Sequence, residues 1–310
     1  MAQKNIQPLG ALTRLTYLQL VCPALVDLSP ISKLTGLLRL AIGARRMTTL
    51  APLAALGGVT NLEVSSASAA DVRVLSTLTA LRRLRLDCPM ASDFQMLASL
   101  LHLSRLLCRV GHCGPDVGPV LQPLTGLREL KLIRPQQTDV ASLAGMTGLL
   151  DLALRMPPLT DISALPPSLT KLDIKAATQL TDLGVLRALT RLVTLRLTGC
   201  TRLADLGPLR RHSSLTALKL TGCAELADVS PLRRQTALAD LDLAGCAKVQ
   251  DLRPLQGLPV YGKELPGHGK AGFAWANNDG AHITRALLVS VWRLGWLKSA
   301  RYGGSKKLAS

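Results

Sequence analysis

Leucine recurs along most of this chain in one short figure, Leu-x-x-Leu-x-Leu, that returns at intervals of 20 to 24 residues. It reads LTYLQL at 15–20, LLRLAI at 37–42, VTNLEV at 59–64, LRRLRL at 81–86, LSRLLC at 103–108 and LRELKL at 127–132. LLDLAL at 149–154, LTKLDI at 169–174, LVTLRL at 192–197, LTALKL at 215–220 and LADLDL at 238–243 complete eleven copies. The end of each copy alternates with period two, so it predicts a short strand with one buried face. A figure repeated at this spacing predicts stacked coils, each too small to bury its apolar face without a neighbour.

A second register runs beside the first. Asp stands at 27, 71, 93, 116, 139, 161, 182, 205, 228 and 251, Thr49 fills the one gap, and Asn5 holds the equivalent place at the start. An apolar residue follows each, then often a Ser-Pro or Gly-Pro pair. Ser29-Pro30, Gly207-Pro208 and Ser230-Pro231 predict an N-cap followed by proline at the first position of a helical turn. The Asp carboxylate is placed to accept backbone N–H groups at the same turn. A short helical or 3-10 segment such as PISKLTGL then returns the chain to the next strand.

These motifs resemble the leucine-rich repeat family over about residues 5 to 258. The 22–23-residue length and the stretches TDIS, ADVSPL and VDLSPI resemble its short-repeat branch, which includes bacterial internalins and phosphatase-regulating proteins. The run of LTGC..LADL units also resembles repeat proteins of kinetoplastid protozoa. The resemblance implies an α/β solenoid of about eleven repeats. In it a curved parallel β-sheet lines the concave face, and short 3-10 or α segments and turns form the convex face. It says almost nothing about a partner. Many family members place Asn after the strand. Here the position holds Cys200, Cys223 and Cys246, with Pro23, Pro89 or other residues elsewhere.

A cysteine that recurs with the repeat period predicts a small buried hydrophobe with a weak S–H donor. A ladder presents one thiol per coil, whereas a zinc site needs about four convergent ligands. The Asp column invites the same discount as a calcium site, since each carboxylate has its own turn to cap. Cys108, His112 and Cys113 lie close together, but Cys108 occupies a core strand position. No nucleophile stands at a plausible spacing from a base. No catalytic residue, metal ligand or cofactor is predicted.

The residues between the strand leucines point away from the core. Arg83, Arg85, Arg105 and Arg109 gather there on two neighbouring coils, with Leu107 between them and Lys131 and Arg155 beyond. Asp87 and Glu129 are the acidic residues close by, so the cluster is expected to be short of acids. These six cations are the candidate partner-binding residues, suited to gripping carboxylates or phosphates. The same charges also suit a plain solvated face. Tyr17 is almost the only aromatic on this face, which disfavours base stacking.

Composition sharpens the picture. Of the 310 residues 48% are hydrophobic but only 3% aromatic, which fits thin stacked layers built of leucine. A net charge of +17 permits an acidic protein, nucleic acid or an anionic membrane as partner. Seven cysteines without paired short spacings, and no Asn-x-Ser/Thr sequon, lean towards a reducing, intracellular and cytoplasmic setting. No run of apolar residues suits a signal peptide or a spanning helix.

The ends differ from the middle. The first repeat starts at Asn5 with no polar cap before it, so either a partner covers this end or the chain is part of a longer repeat protein. The repeat region is expected over 1–258 and a tail over 259–310, where six of the eight aromatic residues lie. The tail reads as a Gly-rich linker, a helix over 283–298 carrying Trp292 and Trp296, and a basic disordered end. That helix is expected to cap the last coil. A basic amphipathic helix on a membrane surface and a sequence unrelated to the repeat stand as its alternatives. The expected function is a non-catalytic adaptor or scaffold that binds another protein, with an acidic surface, through the concave sheet. The alternative is a basic structural component of an RNA-containing assembly. A small-molecule substrate is not expected.

Overall fold

The computed structural model describes residues 6–109, 118–133 and 138–259. These residues belong to one unit, Met1–Tyr261. Asn5, His112, Cys113, Asp116 and the 283–298 segment with its two tryptophans lie outside the described residues.

Each Leu-x-x-Leu-x-Leu figure ends in a strand. The strands are β1 (Tyr17–Val21), β2 (Arg39–Gly43), β3 (Asn61–Ser65), β4 (Arg83–Asp87), β5 (Arg105–Arg109) and β6 (Glu129–Ile133). They continue as β7 (Asp151–Arg155), β8 (Lys171–Lys175), β9 (Thr194–Thr198), β10 (Ala217–Lys219) and β11 (Asp240–Asp242). All eleven pair in chain order in one parallel sheet. Register is strict: Leu40 faces Leu62, Leu62 faces Leu84 and Leu84 faces Leu106. A one-residue slip would turn every leucine outward, so burial of one face fixes the register.

The return segments are mostly five-residue 3-10 turns such as Ser29–Lys33, Ala51–Ala55 and Gly207–Arg211. Beyond the first turn, Gln7–Ala11, these turns send a leucine or isoleucine inward, and Ile31, Leu53, Leu75, Leu97, Leu186, Leu209 and Leu232 are fully buried. Burying a side chain of this size is worth roughly 1.5–3 kcal/mol. The core is therefore a set of columns, one residue per coil, of which Phe94 is the bulkiest member. One column changes character. Leu34, Leu56, Leu78, Leu100 and Leu189 are followed by His212 and Gln235, both buried. His212 Nε2 lies 2.7 Å from the Leu186 carbonyl, and the Gln235 amide donates to the Leu209 carbonyl at 2.6 Å. Among the described residues the other polar atom of each, Nδ1 and Oε1, has no partner.

The acidic register caps as expected. Asp27, Asp71, Asp93, Asp139, Asp161, Asp182, Asp205, Asp228 and Asp251 each accept the N–H of the residue two places on, at 2.6–3.1 Å. Thr49 does the same with its hydroxyl oxygen to Ala51. The expected N-cap role of Ser29, Gly207 and Ser230 is corrected. They are the first residues inside their turns and the prolines are second; Leu28, Leu206 and Val229 precede them without a side-chain cap bond. The carboxylate already satisfies the exposed N–H by reaching over the apolar residue, so the pair shifts inward by one position.

The cysteine alignment is also corrected. The turn bond three residues on from Cys200, Leu203 N–H to Cys200 carbonyl, is matched by Leu25 to Cys22 and by Ala91 to Cys88. Cys22 and Cys88, not Pro23 and Pro89, are the counterparts of Cys200. The 23-residue coils carry one extra residue after the strand. It is Gly199, Gly222 or Gly245, each in the left-handed region at φ 70, 75 and 75. Ala176 holds the same place after β8 at φ 59. A side chain costs about 1–2 kcal/mol in that conformation.

Cys88, Cys200, Cys223 and Cys246 are buried, and all four are free. The thiols of Cys223 and Cys246 donate to the Leu197 and Leu220 carbonyls of the preceding coil, at 3.1 and 3.0 Å. Burial pushes the Cys200 and Cys246 thiols up to about 11 and that of Cys223 up to about 12.

Three outcomes are expected from this architecture. Gly222→Ala should lower stability in urea by about 1–2 kcal/mol. Ala176→Gly should raise it by at most about 1 kcal/mol, because relief of strain outweighs the added freedom of the unfolded chain. The same sign for both would reject the account.

The second concerns acid. Hydrogen bonds from Ser29, Ser163 and Arg253 hold the Asp27, Asp161 and Asp251 carboxyls below their usual value, and those from Arg73 bring Asp71 to about 2. A depressed carboxyl adds stability above its unfolded value near 3.8 and loses it as pH falls through the folded one. The melting temperature should therefore fall between about pH 4 and pH 2, and Asp71→Asn should flatten part of that fall. A flat profile across this window would contradict it.

In the third, a thiol reagent near pH 8 should leave Cys200, Cys223 and Cys246 unlabelled until urea unfolds the chain. The half-buried Cys22 should label sooner. Ready native labelling of the three would show that they are not interior.

Candidate functional site

Parallel register turns the outward strand positions into three straight columns. The first places Tyr17, Arg39, Asn61, Arg83, Arg105 and Glu129 side by side. The second runs Gln19, Ala41, Glu63, Arg85, Leu107 and Lys131. In the third, Asp87 faces Arg109, Arg109 faces Ile133 and Ile133 faces Arg155. All six candidate residues thus share one face. Arg83, Arg85, Arg105, Arg109 and Arg155 are exposed and Lys131 is half-buried.

The expected shortage of acids does not hold. Arg85 Nε lies 3.2 Å from Glu63, Arg105 Nε 3.4 Å from Glu129, and Arg109 Nη1 3.5 Å from Asp87. Lys131 Nζ lies 2.9 Å from Glu129. Glu63 was overlooked because it stands 22 residues before Arg85 in sequence and beside it only through register. Among the described residues Arg83 carries no ion pair. The pairs are solvent-exposed, so each is worth no more than about 1 kcal/mol. They orient the guanidinium groups across neighbouring strands without burying them.

The arginines give way to carboxylates towards the later coils. Lys131 bonding holds Glu129 below the usual carboxylate range. Desolvation, with Glu129 beside it, pushes Asp151 up. Asp173 pairs with Lys175 at 3.3 Å and Asp240 with Lys219 at 3.5 Å.

A groove of about 460 Å3 lies on the same face across β1 to β6. Arg83, Arg85 and Arg105 line it, together with Tyr17, Arg39, Asn61, Glu63 and Leu107. Tyr17 is 54% exposed and its hydroxyl donates to Gln19 Oε1 at 2.8 Å. Tyr17 and Arg39 extend the site beyond the six candidates. Their signal was the column position, outvoted by the density of arginine two coils on. Arg109, Lys131 and Arg155 stand on the same face outside the groove lining. Among the described residues no three or more His, Cys, Asp or Glu side chains converge on a metal position. No described helix is long and apolar enough to cross a membrane.

No family model and no curated protein matches the sequence. Solved structures do. An internalin (inlF) of Listeria monocytogenes superposes with a TM-score of 0.67 at 25% identity, covering 80% of this chain and 73% of that one. The functional domain of InlJ from Listeria monocytogenes, which includes a cysteine ladder, gives 0.50 at 22% identity, covering 81% of this chain and 58% of that one. Toll, in the Drosophila Toll–Spatzle complex, gives 0.54 at 14% identity over 69% of this chain and 34% of that one. With its eleven in-register parallel strands, 3-10 returns and leucine columns, the chain has the fold of a leucine-rich-repeat solenoid.

Proposed function

We propose that this chain is a non-catalytic adaptor or scaffold that binds another protein through the outer face of its sheet. The observation that carries the reading is the groove, where exposed Tyr17 and Arg39 and the cluster of Arg83, Arg85 and Arg105 stand on one rigid sheet. Repeats of this kind curve so that the sheet lines the concave side, which suits a protruding partner. Arginine and tyrosine are enriched among residues that dominate interface energy, and groups already oriented lose little entropy on binding. An acidic partner surface complements the cluster, its carboxylates taking the place of Glu63, Glu129 and Asp87. Arg109, Lys131 and Arg155 would extend the contact along the sheet. The same architecture meets a protein in the Toll–Spatzle complex. RNA is the second class the charge admits, but one tyrosine offers little for bases to stack on.

Three further elements of the reading rest on sequence. The repeat region spans 1–258 with a tail over 259–310; the free cysteines fit a reducing cytoplasm; kinship with kinetoplastid proteins rests on the LTGC..LADL units alone.

The test compares affinity purification by the wild type and by an Arg83→Ala, Arg85→Ala, Arg105→Ala variant, with and without nuclease. A protein should be retained after nuclease and lost from the variant. Its measured affinity should fall by at least ~2 kcal/mol, about thirtyfold. Equal retention by both chains would reduce the cluster to a solvated face, and loss of every partner to nuclease would favour RNA.

A further inference from the structure

Some cations on the 3-10 side are paired with acids. Arg73 and Arg253 fold back onto the Asp two places before them, with 2.8 and 2.9 Å contacts, and Lys248 pairs with Glu225. Arg187, Arg210, Arg211, Arg233 and Arg234 do none of this. They follow the in-phase buried residues Leu186, Leu209 and Leu232, at the ends of the turns Gly184–Ala188, Gly207–Arg211 and Ser230–Arg234. All five are exposed, and among the described residues none has an ion pair. Stacking sets Arg187, Arg210 and Arg233 in one row and Arg211 and Arg234 in a second beside it. Adjacent coils lie about 4.8 Å apart where their strands pair. The carboxylates of these coils, Asp182, Asp205 and Asp228, cap the opposite ends of the turns, each held to a backbone N–H at 2.6–2.7 Å. They cannot fold onto the arginines as Asp71 does onto Arg73, because the basic residues stand five or six positions on instead of two.

We propose that this double row is a second binding surface, on the 3-10 side, that holds the phosphate backbone of a single RNA strand without reading its bases. Unpaired like charges at coil spacing repel one another, so the row gains most from a partner that carries negative charge at regular intervals along its length. Arginine holds phosphate bidentately. No exposed large apolar side chain lies within the three turns. A protein partner would lack the apolar anchor on which stable interfaces centre. A membrane would lack a side chain to insert, which surface-bound elements use beside their charge. The absence of aromatic residues from these turns removes base stacking and leaves backbone contact. This surface shares no residue with the sheet face, so either reading can fail alone.

The experiment uses the full chain and a fluorescent oligouridylate of about 20 nucleotides, with affinity measured by anisotropy between roughly 50 and 200 mM salt. The wild type should bind with a steep dependence on salt. The Arg210→Gln, Arg211→Gln, Arg233→Gln, Arg234→Gln variant should bind at least tenfold more weakly at the low-salt end. Its log–log slope should be shallower by about 3, near 0.7 for each lost phosphate contact. Either coil's pair changed alone should remove about half of that, so the result does not depend on the fourfold variant folding. The same four positions changed to lysine should keep the slope, and the Arg83, Arg85, Arg105 alanine variant should keep both slope and affinity. Three results would overturn the proposal: no oligouridylate binding by the wild type at low salt, an unchanged affinity and slope in both glutamine pairs, or a preference for polyglutamate or phosphatidylserine vesicles over the oligonucleotide.

Discussion

No coil of this chain can satisfy its own backbone. The amides and carbonyls at the edge of one strand find partners only on the strand before or after, in the same register from β1 to β11. An unpaired buried amide costs about as much as a lost hydrogen bond, so the ladder forbids slippage. Every other regularity is inherited from it. Leucines meet leucines because their backbones are paired, and Cys223 reaches the Leu197 carbonyl because its coil lies directly against the one before. The charges of the outer face fall into columns for the same reason.

Much of this was written in the sequence because a repeat states each rule many times. Eleven copies of one figure identify the strands, and ten of the acidic or hydroxyl residues mark the turns they cap. What stayed hidden needed distances. Counting from the strand paired Cys200 with Pro23, since the left-handed glycine that lengthens the later coils looks in sequence like any other residue; the turn bonds show that Cys22 is the counterpart. Arg85 and Glu63 are far apart in sequence and 3.2 Å apart in space, so an arginine cluster that reads as unopposed is partly neutralised. Arg83 and its five companions were legible as one face. The extension to Tyr17 and Arg39 was not, because it depends on which columns border a depression.

The two sides of the solenoid handle charge differently. On the sheet, several bases stand beside an acid of a neighbouring strand, as Arg105 does beside Glu129, so the face offers weak pairs that an incoming group can replace. On the 3-10 side the capping aspartates are each committed to a backbone N–H at the start of their turn, and Arg210, Arg211, Arg233 and Arg234 gather at the far end of theirs. A ridge results with an acidic border and a basic border running parallel to the sheet. His212 and Gln235 follow Arg211 and Arg234 in the chain and turn inward, each tied to a carbonyl of the coil before.

The added glycine has a consequence for chain length. In the last coils, cysteine, turn and strand recur every 23 residues, and each surface is shaped only by its immediate neighbours. Deleting 201–223 would set Ala224 directly after Cys200, where another cysteine of the same column stood before it, and the flanking coils would meet as closely as they do now. A deletion of 22 or 24 residues would instead leave one coil a residue longer or shorter than its neighbours, as some earlier coils already are. Length in this region is therefore countable in whole coils, and the number of coils is a quantity that duplication or loss can change without redesigning any contact.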